Sequence, residues 1–214
     1  MIKAIMIGDS ALYGSLGPGI DLVNERLVDH PQLVLNREQS VFDFCYNYSK
    51  PGASYAGIFS PDSATRAKNG MPDGVDLNTL LANTDAGAVL FLLGSNDFPH
   101  REQLPSYIKL TAQTCIANNK LFAFVGSPDI NTTASYKYLN PGVDFYSSNY
   151  PQLVAEVASA VELIRQTCIH ENYIYLDTRN HVSVDWSTCT GDLVHPSQEY
   201  SRAIFTYVAS SIAG

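Results

Sequence analysis

Acyl transfer to a hydroxyl needs a nucleophile, a base to take its proton, a group to orient that base, and donors for the oxyanion that forms. The chain holds candidates for all of these. Ser10 follows Gly8 and Asp9 at the end of an apolar run of Ile2, Ala4, Ile5, Met6 and Ile7, and is the candidate nucleophile. Asp192 and His195 stand three residues apart, so both can face one side of a helical turn. Gly52 and Asn96 each follow a strand-like stretch. Singly, each has a plainer use: Ser10 as a helix cap, Asn96 as a turn residue, and the Asp192–His195 pair as a helix start. Together they are far more specific than any one alone.

These positions have to be carried by secondary structure, and the hydrophobic pattern predicts five strands. Residues 2–7 form a nearly continuous apolar run, as in a strand buried on both faces. Residues 41–47 alternate and are aromatic-rich; 88–93, 121–125 and 173–176 complete the set. Helices are expected over about 20–29, closed by Pro31, over 76–82, and over about 104–118, where Asn118 and Asn119 suit the end. Pro151 is expected to open a helix with Leu153, Val157, Val161 and Ile164 on one stripe. The last helix should start near Ser197 and bury Ile204, Val208 and Ile212. Residues 55–75 read as loop with one helical turn, and 131–150 as a long ordered loop. Alternating strands and helices imply an α/β fold, a three-layer α/β/α arrangement around a five-stranded parallel sheet. A flavodoxin-like order, 2-1-3-4-5, would set the ends of the first three strands side by side. Without an internal repeat or linker, residues 1–214 read as one domain.

The 214 residues are 45% hydrophobic and 16% charged, the composition of an ordinary globular domain. With 21 acidic against 13 basic residues the net charge is −8, and no Lys/Arg cluster occurs, so no nucleic-acid partner is expected. An anionic membrane surface is disfavoured for the same reason. The longest apolar stretch, 86–94, has strand length, which argues for a soluble chain without stable membrane insertion. The start reads as strand rather than as a targeting signal. A glycine-rich turn from Gly14 to Gly19 matches neither nucleotide-binding pattern. Cys45, Cys115, Cys168 and Cys189 lack metal-ligand spacing and read as free thiols. His30, His170 and His181 suggest no metal either, so neither metal nor cofactor is expected; His100 reads as a solvated loop histidine.

In chain order, Gly8-Asp9-Ser10, the stretch from Asn47 to Gly52, Gly94-Ser95-Asn96-Asp97 and Asp192-Leu193-Val194-His195 resemble the four blocks of the SGNH hydrolases, the GDSL-type esterases and lipases. The resemblance spans essentially the whole chain. It departs at Ala11, where the family has the leucine of its GDSL name, and it is loosest in the second block. It implies that Ser10 attacks an ester carbonyl, that His195 is general base and then general acid, and that Asp192 orients the imidazole. The oxyanion would be held by the backbone N–H of Ser10, the backbone N–H of Gly52 and the side-chain amide of Asn96. Tyr136, Tyr138, Phe145, Tyr146 and Tyr150 could wall a cleft that stacks sugar rings, or could simply pin their own loop. No strongly hydrophobic lid segment is apparent. These features point to a short acyl group, such as acetyl, on a carbohydrate or other polar carrier. A lysophospholipase or acyl-thioesterase, an O-acyltransferase, and a non-catalytic binding module of the same fold are the alternatives.

Overall fold

A strand that is apolar on both faces has to be covered twice, and the computed structural model shows how this chain does so. It describes residues 2–13, 31–37, 42–127, 144–182 and 198–213. The strands are β1 (Ile2–Gly8), β2 (Phe42–Asn47), β3 (Ala88–Leu92), β4 (Leu121–Val125) and β5 (Tyr175–Leu176). All neighbours pair in parallel, in the order β2-β1-β3-β4-β5 that the alternation of elements predicts. The helices are α1 (Ser10–Tyr13), α2 (Pro31–Arg37), α3 (Tyr55–Ile58), α4 (Ser63–Lys68), α5 (Leu77–Ala82), α6 (Leu104–Ala117), α7 (Asp144–His170), α8 (Thr178–His181) and α9 (Gln198–Ala213).

Successive side chains of a strand point to opposite faces, and the core divides accordingly. Ile5, Ile7, Val89, Phe91 and Phe124 bury against α3, α5, α6 and α7. Ala4, Met6, Leu90, Leu92, Ala123 and Val125 bury against α1, α2 and α9. The result is three layers. Register brings the carboxyl ends together: Gly8 lies opposite Leu92, and Met6 opposite Asn47.

Four local expectations need correction. Residues 55–75 hold α3, α4 and a 3-10 turn at Pro72–Gly74, not a loop with one turn. Their Ser and Asp content reads as loop because Ser54 and Asp62, like Asp76 before α5, are N-caps: each side chain accepts a backbone N–H from the first turn. Pro151 lies well inside α7 rather than opening it, so residues 144–150 are helical. Its ring-fixed φ is helix-compatible, and the helix forgoes one backbone bond there. Pro31 opens α2, a helix the hydrophobic pattern does not predict, at a position where its missing N–H is no loss; the helix over 20–29 that it is expected to close lies outside the described residues. Ile212 is only partly buried, whereas Ile204 and Val208 are fully so.

Candidate active site

The site is built on the carboxyl ends of β2, β1 and β3. β1 stops at Gly8, and Asp9 turns the chain: its N–H donates to the Leu92 carbonyl (3.1 Å) and its carboxylate accepts the Ala11 N–H (2.9 Å). Asp9 thus caps α1, a task that would otherwise fall to Ser10, and Ser10 becomes the first residue of the helix, half-buried. The second carboxylate oxygen of Asp9, which is 1% exposed, accepts the Ser95 hydroxyl. The first and third blocks are therefore joined side chain to side chain.

The second block runs on beside β1 after β2 has ended. Tyr48 N–H donates to the Met6 carbonyl (2.9 Å) and Lys50 N–H to the Gly8 carbonyl (3.0 Å). Ala53 N–H then returns to the Lys50 carbonyl (3.0 Å), closing a turn with Pro51 and Gly52 at its centre. Gly52 has φ of 79°, the left-handed conformation that glycine reaches without strain after a proline in a type II turn. The position is exposed, and a Cβ there would meet nothing within 4 Å, so conformation alone calls for glycine. Its N–H has no partner among the described residues.

β3 leads through Gly94, φ 118°, into a tight turn in which Asp97 N–H donates to the Gly94 carbonyl (3.1 Å). Asn96 donates from Nδ2 to the Ala53 carbonyl (3.0 Å), which fixes which end of the amide is the donor. An amide nitrogen carries two hydrogens, so a second donor remains. Asp97, 1% exposed, accepts the N–H groups of Tyr55 (2.8 Å) and Ala56 (3.0 Å) at the start of α3. Burial pushes its carboxyl up, against the downward pull of those two N–H groups and of nearby His100. Asp9, Ser95 and Asp97 belong to the matching blocks without a role implied by the resemblance, and their only signal in the sequence is a short polar side chain at each strand end.

A cavity of about 530 Å³ lies elsewhere, lined by Ile2, Ala88, Leu121 and Tyr173 at the amino ends of the strands. It is almost wholly apolar, and Lys120 on its wall is committed to the carbonyls of Thr84 and Ala86. Ligands of open α/β sheets bind beyond the carboxyl ends instead. Among the described residues there is no cluster of His, Cys, Asp and Glu that could hold a metal ion.

The sequence matches no protein-family model, and no curated protein matches it significantly. Solved structures do match. A carbohydrate acetylesterase from Sinorhizobium meliloti gives a TM-score of 0.71 at 13% identity, over 100% of this chain and 99% of that one. The inhibitor-bound aryl esterase of M. smegmatis gives 0.70 at 15% identity, over 99% and 98%. A protein from Slackia heliotrinireducens provisionally named an SGNH hydrolase gives 0.62 at 12% identity, over 99% and 98%. The chain has the SGNH-hydrolase fold.

On this SGNH scaffold the described residues bring three of the four blocks to adjoining strand ends, with Ser10 between the strands that carry Gly52 and Asn96. Asp192 and His195 lie outside the described residues, as do Cys189 and residues 131–143 of the tyrosine-bearing stretch. Cys45, Cys115 and Cys168 are buried free thiols. No helix among the described residues is long and apolar enough to cross a membrane.

Proposed function

We propose that this chain is a serine esterase that hydrolyses short acyl esters, acetyl above all, on a carbohydrate or other polar carrier. The observation that carries this reading is the bonded convergence of three strand ends. Ser10 heads α1 between a glycine turn whose N–H has no partner among the described residues and an asparagine amide with one donor to spare among them. In this mechanism the Ser10 hydroxyl attacks the ester carbonyl while His195 takes its proton and Asp192 stabilises the imidazolium. The backbone N–H groups of Ser10 and Gly52 and the Asn96 amide hold the oxyanion. Collapse expels the alcohol, protonated by His195, and water then releases the acyl group by the same steps. The acyl preference draws support from the polar second and third blocks and from the carbohydrate acetylesterase of the same fold.

The test combines a panel of p-nitrophenyl esters from acetate to octanoate with an acetylated sugar, in wild type and in Ser10→Ala. Acetate should be turned over best, Ser10→Ala should be inactive, and a sulfonyl fluoride should leave one adduct, on the peptide containing Ser10. Rates that climb with chain length would replace the acetyl reading with the lysophospholipase one. Full activity in Ser10→Ala would overturn the mechanism.

A further inference from the structure

We infer that Asp97 is a positioning residue for oxyanion stabilisation, its carboxylate clamping the Gly52 turn onto the Asn96 loop. The inference rests on the esterase reading and adds to it a residue without a role in the chemistry itself. Both oxygens of the carboxylate are used: one accepts the Tyr55 N–H at 2.8 Å, the other the Ala56 N–H at 3.0 Å. Those N–H groups open α3, three and four residues after Gly52, whereas Asp97 directly follows Asn96. The Asn96 bond to the Ala53 carbonyl, 3.0 Å, closes the same gap from the neighbouring residue. Two donors on separate strand ends are thus held at a fixed separation by bonds running from consecutive residues of one loop to consecutive stretches of the other.

Burial gives the clamp its stiffness. Asp97 is 1% exposed and Tyr55 is 1% exposed, so water does not compete for the bond between them, while the Ala56 bond beside it is part-buried. Ser54, the cap of α3, is held in turn by Asn69, whose Oδ1 accepts the Ser54 N–H at 2.9 Å. The start of α3 is therefore fixed from both sides, and the turn before it has little freedom to drift. Oxyanion donors act only when aimed at the place where charge develops, so a fixed separation between them bears on the transition state more than on substrate binding.

Asp97→Asn keeps the shape but replaces one acceptor by a donor, which faces a backbone N–H. The experiment is a double-mutant cycle: wild type, Asp97→Asn, Asn96→Ala and the double variant, with kcat and KM for an acetyl ester and thermal midpoints for each. Asp97→Asn should lower kcat by about tenfold to hundredfold with KM little changed, the scale of a misplacement near 1 Å. In the Asn96→Ala background the factor should shrink by more than threefold, because one of the donors being positioned is already gone. A smaller reduction, or a loss confined to KM, would overturn the inference while leaving the oxyanion reading intact if Asn96→Ala alone lowers kcat. An Asn96→Ala enzyme with wild-type kcat would overturn both. Should Asp97→Asn not reach the soluble fraction, Asp97→Ser, smaller and able to accept one of the two bonds, enters the same cycle with the same thresholds.

Discussion

Gly8→Ala is the smallest change that tests how tightly Ser10 is seated. Gly8 does not adopt a positive φ, so the substitution probes space and not backbone conformation. A Cβ there would sit 2.5 Å from Leu12 Cδ2, 2.7 Å from Leu12 Cβ and 2.7 Å from the Leu92 carbonyl oxygen. The first of these can swing away; the other two are tied to backbone. Reaching an ordinary 3.4 Å contact needs 0.7 Å (3.4 − 2.7) from both β3 and α1. That carbonyl also accepts the Asp9 N–H at 3.1 Å, and moving it away by that amount takes the bond beyond hydrogen-bond reach. Overpacking of this kind costs about 1–3 kcal/mol and a lost backbone bond about 0.5–1.5 kcal/mol. Together they give about 1.5–4.5 kcal/mol, or roughly 3–18 °C in Tm for a chain of this length. Because Ser10 follows two residues later, the displacement should also lower kcat on an acetyl ester by up to about a hundredfold. Gly52→Ala is the contrast: open space and φ of 79° leave only conformational strain, about 1 kcal/mol. A Gly8→Ala enzyme with unchanged Tm and kcat within twofold of wild type would refute the packing argument.

Three further outcomes are expected. The kcat/KM for an acetyl ester should rise with pH through one ionisation near about 6–7 as His195 loses its proton, and His195→Ala should abolish turnover; substantial activity in that variant, with loss in His100→Ala or His181→Ala, would move the base elsewhere. Burial pushes the thiols of Cys45, Cys115 and Cys168 up to about 12, so iodoacetamide at about pH 8 should leave all three unmodified in the native protein and label them in guanidinium, by peptide mass spectrometry. The Thr79 N–H and hydroxyl hold the Asp76 carboxyl below its usual range, so its stabilisation is present above the unfolded pKa and lost as pH falls through the lower folded value. Asp76→Ala should cost about 0.5–1 kcal/mol in urea unfolding at neutral pH, with the gap to wild type closing in acid; a pH-independent difference would contradict the capping role.

Strand order and layering were legible because β1 and β3 are apolar on both faces, which leaves a parallel sheet covered by helices as the economical arrangement. The ends of these strands were legible for the same reason: Gly8-Asp9-Ser10 and Gly94-Ser95-Asn96-Asp97 break an apolar run with polar residues that have no place inside a core. The helices between 55 and 75 were not. Ser54 and Asp62 belong to the residue types that also make turns, and only the observed acceptance of an N–H from the following turn distinguishes a cap from a loop.

The bonds that tie the site together belong to a different order of information. Asp97 meets Tyr55 across 42 positions of sequence, and Ser95 meets Asp9 across 86. Neither pair has a local spacing to betray it, because each exists only once β3 has paired with β1 in a register that sets Leu92 opposite Gly8. Slipping that register by one residue would turn the alternate side chains of β3 to the wrong core and carry the Asn96 loop away from the Ala53 carbonyl together. Packing of Phe91 and Leu92 on opposite faces is therefore also what aligns the polar strand ends. The residues that resemble catalytic blocks can be read one at a time, but the side chains that aim them become visible only through the pairing of the sheet.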